Sequence, residues 1–506
     1  MFLELLSCIG LTTVLMCLLV RLVTILQGSN KTNPHPLPPS PGIALPILGH
    51  LYLLETNPRR QFTLWGQRHG PLLSLYLGNR LAVVLYGFDT IKEAFVKHAD
   101  IFSDRPKTFV MQALGKDKGF VTSGPSWRAQ RKVTISILQE LGLGTSVMEE
   151  KVQEEISRFL DNIDTFHGQA FNPRQLTMHS VSNIICALVF GSGFRHDDPE
   201  IARYTSLFGD QLSLLEGTVI LNFLPILRML PGDLFGLQKT LRIAAQIENA
   251  LIKKQLELRK KDIEAEDIKD VPDFLTGYIR EIRAHKAADV NTSPINEENL
   301  VAVVANLFAA GTETTSTTIC WALLYLVRHP EVTDRCFQEM VEHVGLDRRP
   351  TYKDRQQLKY MEATVMEVQR ISSITPFSLH HTASRDIVFR DYLIPKGTII
   401  MPSLDSILLS SEIWGDPLNF RPGRFLDATG QSLVKREEFV PFCIGRRSCL
   451  GEALAKMELF LFLSTMIQKY HFRLPEGAPL PTLEDRFGLS CTPLPYKLCF
   501  IPRAHI

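Results

Sequence analysis

The sequence predicts a mainly α-helical protein with limited β structure, and three observations carry that expectation. Long helix-like runs cover Glu297 to His329 and Leu450 to Tyr470, and in the second Leu454, Met457, Leu461 and Leu463 follow a helical stripe. Between Phe171 and Ile282 the chain reads as a series of helices, broken at Gly191 to Gly193, at Pro225 and at Pro231-Gly232. β-favouring residues gather in one place, Leu72 to Tyr86, as two short strands around the turn Gly78-Asn79.

At 506 residues the chain has room for one large domain or two ordinary ones. Its 45% hydrophobic and 22% charged content suits a globular protein with an ample core. A formal net charge of +1 gives no bulk electrostatic case for nucleic acid. Nine scattered cysteines without paired spacing argue against a disulfide scaffold and for a reducing compartment. No CxxC or His-rich zinc pattern appears, and no internal repeat.

Residues 1–27 are expected to be a transmembrane anchor. Leu5 to Val20 is uncharged and apolar, and Leu22 to Leu26 extends it past Arg21, enough to span a bilayer if Arg21 snorkels. Glu4 precedes the run while Arg21 and Lys31 follow it, which places the rest of the chain in the cytosol. The sequons at Asn30 and Asn291 then stay unmodified. A cleaved signal peptide would show a basic front and a small-residue cleavage site; neither is clear. A proline-rich stretch, Pro34 to Pro41 and on to Pro46 within residues 28–50, reads as an extended spacer or a disordered linker.

Helical signals follow at Thr90 to His98 and from Trp127 onward. Trp127 and Arg131 stand at i and i+4, so an indole N–H and a guanidinium share one helix face and make a donor pair for a carboxylate. The charge run Lys253 to Lys261 reads as a solvated helix face. Leu221 to Leu230 is strongly apolar around Pro225.

The stretch with the most chemistry is Phe442-Cys443-Ile444-Gly445-Arg446-Arg447-Ser448-Cys449-Leu450-Gly451. Cys449 lies just before a helix, whose macrodipole favours thiolate, and Arg446 and Arg447 add positive charge. Gly445 permits a sharp turn, Gly451 leaves space for a flat ligand, and Phe442 offers a shielding ring. A thiolate among cations with glycines clearing space suits the proximal side of a haem. The pattern F-x-x-G-x-R-x-C-x-G resembles the haem-binding loop of the cytochrome P450 superfamily, with Cys449 as iron ligand; Cys443 occupies the wrong offset.

That resemblance extends over essentially the whole chain and is nearest to microsomal family-two members. It implies the P450 fold, a helical prism with a small β-rich lobe enclosing one buried haem, with residues 51–506 as the catalytic domain. It makes residues 28–50 the rigid hinge of microsomal members, although Ser40 stands where that pattern has Gly. It assigns Trp127, Arg131, His381 and Arg447 to the haem propionates. In family members the loop at Leu221 to Leu230 dips into the membrane; core is the alternative reading.

Ala309-Ala310-Gly311-Thr312-Glu313-Thr314 is the second signal. A mid-helix glycine costs up to about 1 kcal/mol relative to alanine, so something must want the gap. A small-residue notch beside an acid–hydroxyl pair suits dioxygen activation: the notch makes room, Thr314 donates a hydrogen bond, and Glu313 with water delivers protons. A kinked helix with Thr314 bonded back to the preceding turn is the bland alternative. Glu367 and Arg370, at i and i+3, resemble the family's ExxR pair, with Arg424 as third member of a structural network. Adjacent His380 and His381 in an extended segment point apart and chelate poorly.

The implied activity is haem-thiolate monooxygenation, a hydroxylation or epoxidation of lipophilic substrates. The implied cofactor is haem b, with electrons from NADPH through NADPH–cytochrome P450 reductase and cytochrome b5 as an optional second donor. The run Glu298 to Leu324 resembles the branch acting on polyunsaturated fatty acids; steroids or xenobiotics are the other substrates. The implied location is the endoplasmic reticulum membrane. Arg128, Lys132, Arg446 and Lys456 form a candidate reductase-docking face. Phe109, Leu114, Phe120, Phe208, Leu212, Leu215, Ala309, Ala310, Ile374, Phe377, Leu379 and Phe487 fall where family pockets are lined. No cation among them stands out as a carboxylate anchor. A peroxide-rearranging haem-thiolate isomerase would need neither Thr314 nor a reductase, and a non-catalytic haem protein would not need the acid–hydroxyl pair.

Overall fold

The computed structural model describes residue 12 and residues 34–115, 117–191, 199–263, 271–287 and 293–503. The expected anchor, 1–27, and the sequon at Asn30 lie outside the described residues apart from Thr12, as do Asn291 and Thr292. Among the described residues no helix is long and apolar enough to cross a membrane.

The helices of seven residues or more are α1 (Arg59–His69), α2 (Phe109–Gly115), α3 (Gly124–Glu140), α4 (Ser146–Asp164), α5 (Pro173–Phe190), α6 (Pro199–Thr218), α7 (Leu237–Ile247), α8 (Lys254–Ile263), α9 (Phe274–Ala287), α10 (Glu297–Arg328), α11 (Pro330–His343), α12 (Lys359–Ser372) and α13 (Glu452–Lys469). The expected breaks fall where glycine and proline dictate. Gly191 closes α5 in a left-handed conformation, φ 83°, and Pro225 opens a 3-10 turn, Pro225–Met229. Asn172 and Asn296 cap α5 and α10 by accepting from the N–H groups of Arg174 and Asn299.

α10 is the axis of the molecule, about 48 Å long at 1.5 Å per residue, and its residues from Thr315 to Leu326 are all buried. It packs against α5, α12 and α13. α13 is apolar on every side, with Met457 through Gln468 all buried, so the stripe read from sequence understates it. α8 keeps Lys254 and Lys261 in water and buries Leu256 and Ile263, as the charge run implied.

The β-rich part is a four-stranded sheet in the order β1 (Leu72–Leu77), β2 (Arg80–Leu85), β4 (Ile399–Pro402), β3 (His381–Thr382). β1 and β2 are antiparallel, with Leu72 opposite Leu85, and β4 runs parallel to β2. Gly78 makes the turn at φ 60°, and a side chain there would collide with the Phe223 carbonyl oxygen. The segment Leu221 to Leu230 is only partly core. Leu221 is buried, whereas Ile226, Met229 and Leu230 are 61%, 80% and 45% exposed.

Candidate active site: the Cys449 loop and the α10 face

The Cys449 loop is held by its own backbone. Cys443 N–H donates to Val440 O at 3.0 Å, Ser448 N–H to Gly445 O at 3.1 Å and Cys449 N–H to Phe442 O at 3.0 Å. Gly445 turns at φ 84°, where a Cβ would strike the Phe95 carbonyl, so glycine lets the loop lie against the turn Glu93–Lys97. Cys443 also has positive φ, 57°, and packs with Ile444 against the Phe95 and Phe102 cluster, which takes it out of contention as a ligand. Gly451 begins α13 with open space beside it. Cys449 is exposed to solvent in this fold. Desolvation by the surrounding protein pushes its thiol up rather than down, with a hydrogen bond from the Gly451 backbone opposing, so the helix end alone does not make the thiolate expected from sequence. A bound metal cation does, because a coordinating thiol is deprotonated outright.

Beside the loop lies a buried cationic cluster. Arg131 Nη2 donates to Ser448 O at 2.8 Å. Arg447 lies 3.6 Å above the Trp127 ring and donates to the carbonyls of Ser103, Phe120 and Thr122. Arg105, which the sequence reading missed, donates to the carbonyls of Leu379 and His380. Burial and mutual repulsion push Arg447 down to about 9 and Arg105 down to about 10. Among the described residues no carboxylate pairs with Arg105, Arg131 or Arg447. The Arg105 Nε and Trp127 Nε1 atoms are buried without a partner. Three guanidinium groups in low dielectric, with Asp104 near Arg447 but paired with none of them, are costly, so the cluster suits an anion. Haem propionates fit that demand.

His381 sits in the cluster but not as a donor. It is buried, stacked on Phe95 at 4.1 Å, and its Nδ1 lies 2.6 Å from Phe102 O. A carbonyl only accepts, so Nδ1 carries the proton and Nε2 of the neutral ring is an acceptor. Burial and Arg105 hold its pKa well below the usual value. A propionate contact through Nε2 therefore needs a second proton on the ring, and Arg105 meets the expected role better.

On α10, Ala310 is exposed in the middle of an otherwise buried helix, and the Thr314 hydroxyl one turn on donates to Ala310 O at 2.7 Å. This is the back-bonded conformation. Ala309 is half-buried. The missing side chain of Gly311 does not face this opening: a Cβ there would meet Ile185 Cδ1 at 2.6 Å, so Gly311 lets α5 approach α10. Glu313 Oε1 accepts from Arg174 Nη2 at 2.9 Å, Ser490 Oγ at 3.0 Å and Thr317 Oγ1 at 3.3 Å.

The structural network stands as expected. Glu367 receives Arg370 Nε at 2.7 Å, Arg370 Nη2 at 2.9 Å and Arg424 Nε at 3.0 Å, all three residues buried. Arg128, Lys132 and Arg446 are exposed, while Lys456 is paired with Glu452 at 2.7 Å. The expected pocket residues divide. Phe208 is buried in a stack with Phe308, and Phe377 packs on Phe62 and Phe487 as part of the β-sheet core. Phe120 and Ile374 are half-buried against the main core; Leu114, Leu212 and Leu215 are half-buried and Leu379 is exposed. Phe109 lines a cavity at the β1–β2 turn that shares no residue with the Cys449 loop or α10.

Comparison with known proteins gives the family. The Cytochrome P450 family model matches residues 38–500. Human cytochrome P450 2U1 is 37% identical over 434 residues, covering 85% of this chain and 78% of the relative. The porcine vitamin D(3) 25-hydroxylase is 36% identical over 506 residues, 98% of each chain, and mouse cytochrome P450 2D10 is 36% identical over 507 residues, 98% of this chain and 97% of the relative. The chain belongs to the cytochrome P450 family of haem monooxygenases and resembles its microsomal family-two members.

Proposed function

We propose that this chain is a membrane-anchored monooxygenase that draws electrons from NADPH through NADPH–cytochrome P450 reductase, with cytochrome b5 as an optional donor. It inserts one oxygen atom of dioxygen into lipophilic substrates. Polyunsaturated fatty acids are the favoured class, ahead of steroids, for which the name of the porcine relative speaks, and foreign compounds. Its place is the endoplasmic reticulum membrane, single-pass through 1–27, with the hinge 28–50 leading to a cytosolic catalytic domain.

The observation that carries this reading is the pairing of the buried cationic cluster with the Cys449 loop it touches through Arg131. Haem, when bound, supplies the iron at which dioxygen is reduced and cleaved. Cys449 Sγ would be its ligand, and Arg105, Arg131, Arg447 and the Trp127 indole N–H would hold its propionates. Thr314 must turn its hydroxyl from Ala310 O to donate elsewhere. Glu313, fixed by Arg174 and Ser490, is placed to pass protons through water to that face. The reductase docks on the charges of Arg128, Lys132 and Arg446, with Lys456 contributing less because Glu452 already pairs it.

The reduced protein with carbon monoxide, compared with Cys449→Ser, tests the premise. A strongly red-shifted Soret band in the unsubstituted protein alone is expected, followed by reductase-supported product from linoleate. An ordinary histidine-like band in both sinks the reading. Product formed without NADPH or reductase points instead to the isomerase class. Charge reversal at Arg128 and Arg446 should slow reductase-supported turnover, and unchanged turnover removes the docking assignment.

A further inference from the structure

We propose that Glu216, on the last turn of α6, is a positioning residue for Glu313 and acts on it through the loop 486–490. The inference rests on the proton-delivery role given to Glu313 above and extends it to a residue that the sequence did not single out.

One short loop receives both carboxylates. Arg486 Nη2 donates to Glu216 Oε2 at 3.2 Å. Two residues on, a Cβ at Gly488 would strike Glu216 Oε1 and lie 2.8 Å from its Cδ. Gly488 has no left-handed φ that would call for glycine, so its missing side chain is the space that the Glu216 carboxylate occupies. Two residues further, the buried Ser490 donates through Oγ to Glu313 Oε1 at 3.0 Å. The loop runs between fixed ends. Asp485 is held by Asn57 Nδ2 at 2.6 Å and by Arg59. The Cys491 N–H donates to Ile374 O at 2.7 Å, and the Cys491 carbonyl accepts from Trp321 Nε1 at 2.8 Å. Ser490 is therefore fixed from behind by Cys491. From in front it is set by way of exposed Leu489 and Gly488, where Glu216 sits.

The two acids also share a field. Glu313 pairs with Arg174 and Glu216 with Arg486. Burial pushes the half-buried Glu216 carboxyl up and Arg486 opposes, while Glu313 and Arg174 are near enough to act on it with opposite signs. Moving the Glu216 carboxylate away from Gly488 thus disturbs Glu313 twice, through the seat of Ser490 and through the charge beside Arg174.

The test uses the holoenzyme with linoleate and two oxidant supplies. With NADPH and reductase, dioxygen takes up two electrons and two protons, one oxygen atom entering the substrate and the other leaving as water. Hydrogen peroxide arrives with those electrons and protons already on it, so its product makes no call on Glu313. Gly488→Ala evicts the Glu216 carboxylate without changing a charge. Product per NADPH should fall about fivefold, within the worth of one hydrogen bond, while peroxide-supported product stays level. Glu216→Gln should lower the ratio likewise. Glu216→Asp in the Gly488→Ala background draws the carboxylate back by one methylene and should restore part of it. An unchanged ratio in Gly488→Ala or in Glu216→Gln overturns the proposal, and so does an equal fall with peroxide, which marks general damage to the site. Thermal midpoints need no turnover: Gly488→Ala and Glu313→Gln should shift the midpoint non-additively when combined, and additive shifts overturn the proposal. If the unsubstituted protein makes no product with NADPH and reductase, the monooxygenase reading fails, and the midpoints alone decide whether Glu216 acts on Glu313.

Discussion

Glu313 Oε1 and Arg174 Nη2 lie 2.9 Å apart, an ion pair that ties the acid of α10 to the first turn of α5. Ser490 and Thr317 converge on the same oxygen, so the carboxylate is oriented from three sides. Arg174 is partly exposed, which opens the pair toward water.

Glu313→Gln keeps an oxygen for Ser490 and Thr317 but has no proton to pass. Product formation should fall by roughly 100-fold, the low end for general acid catalysis, while NADPH consumption falls less. Product per NADPH measures it, and an unchanged ratio removes Glu313 from proton delivery. Arg174→Gln should lower the ratio by a smaller factor, since the pair is already partly screened.

Gly311→Ala places a methyl group within 2.6 Å of Ile185 Cδ1. The cost should be about 1–3 kcal/mol, typical of an overpacked helix contact, and it should appear as a lower thermal midpoint. Ile185→Val removes the atom in the way and should restore most of the loss. Failure of that rescue, with the single variant destabilised, would mean the glycine serves the open Ala310 face after all.

The difference between that result and the sequence reading shows what was legible. The helix breaks at Gly191 and Pro225, the Gly78-Asn79 hairpin, the Cys449 loop and the Glu367–Arg370 pair were readable because each depends on local spacing. Gly311 was correctly seen as a required gap but given to the wrong side, since a helix sequence shows that one face is notched and not which neighbour fills it. Arg105 carries no local signal: it matters because residues from 105, 127, 131 and 447 are buried together, and burial is a tertiary property. The Cys449 thiol was misjudged for the same reason, the helix end being visible in sequence and the desolvation opposing it not.

Glu367→Gln should be among the most damaging substitutions outside the Cys449 loop. Among the described residues Glu367 is the one carboxylate paired with the fully buried Arg370, and it also accepts the Arg421 N–H at 2.9 Å. Removing its charge strands the Arg370 guanidinium, while Arg424 keeps Asp416 at 3.2 Å, at a cost of about 3–5 kcal/mol. The expected result is little or no folded holoprotein, read as the amplitude of the carbon monoxide band per mole of chain. A normal yield would show that the backbone carbonyls of Leu408, Pro417 and Trp414, with Asp416 beside Arg424, suffice without it.

Glu458 on α13 gives a pH prediction of defined sign. Its side chain is 1% exposed, Oε1 has no partner, and the Thr315 hydroxyl is its hydrogen-bond partner. Burial pushes its carboxyl up to about 8 from an ordinary value of 4.5, so the folded protein holds this proton at neutral pH and the unfolded chain does not. The associated stability is complete below the unfolded pKa and is lost as pH rises toward and through about 8. Glu458→Gln keeps the shape and the acceptor but has no proton to lose. Its unfolding free energy should therefore match that of the unsubstituted protein near pH 5 and exceed it increasingly up to pH 8.5, by a few kcal/mol at most, with the thermal midpoint rising in parallel. Parallel profiles for the two proteins across that range would mean that water reaches the carboxyl and that it titrates in the fold as it does in the unfolded chain.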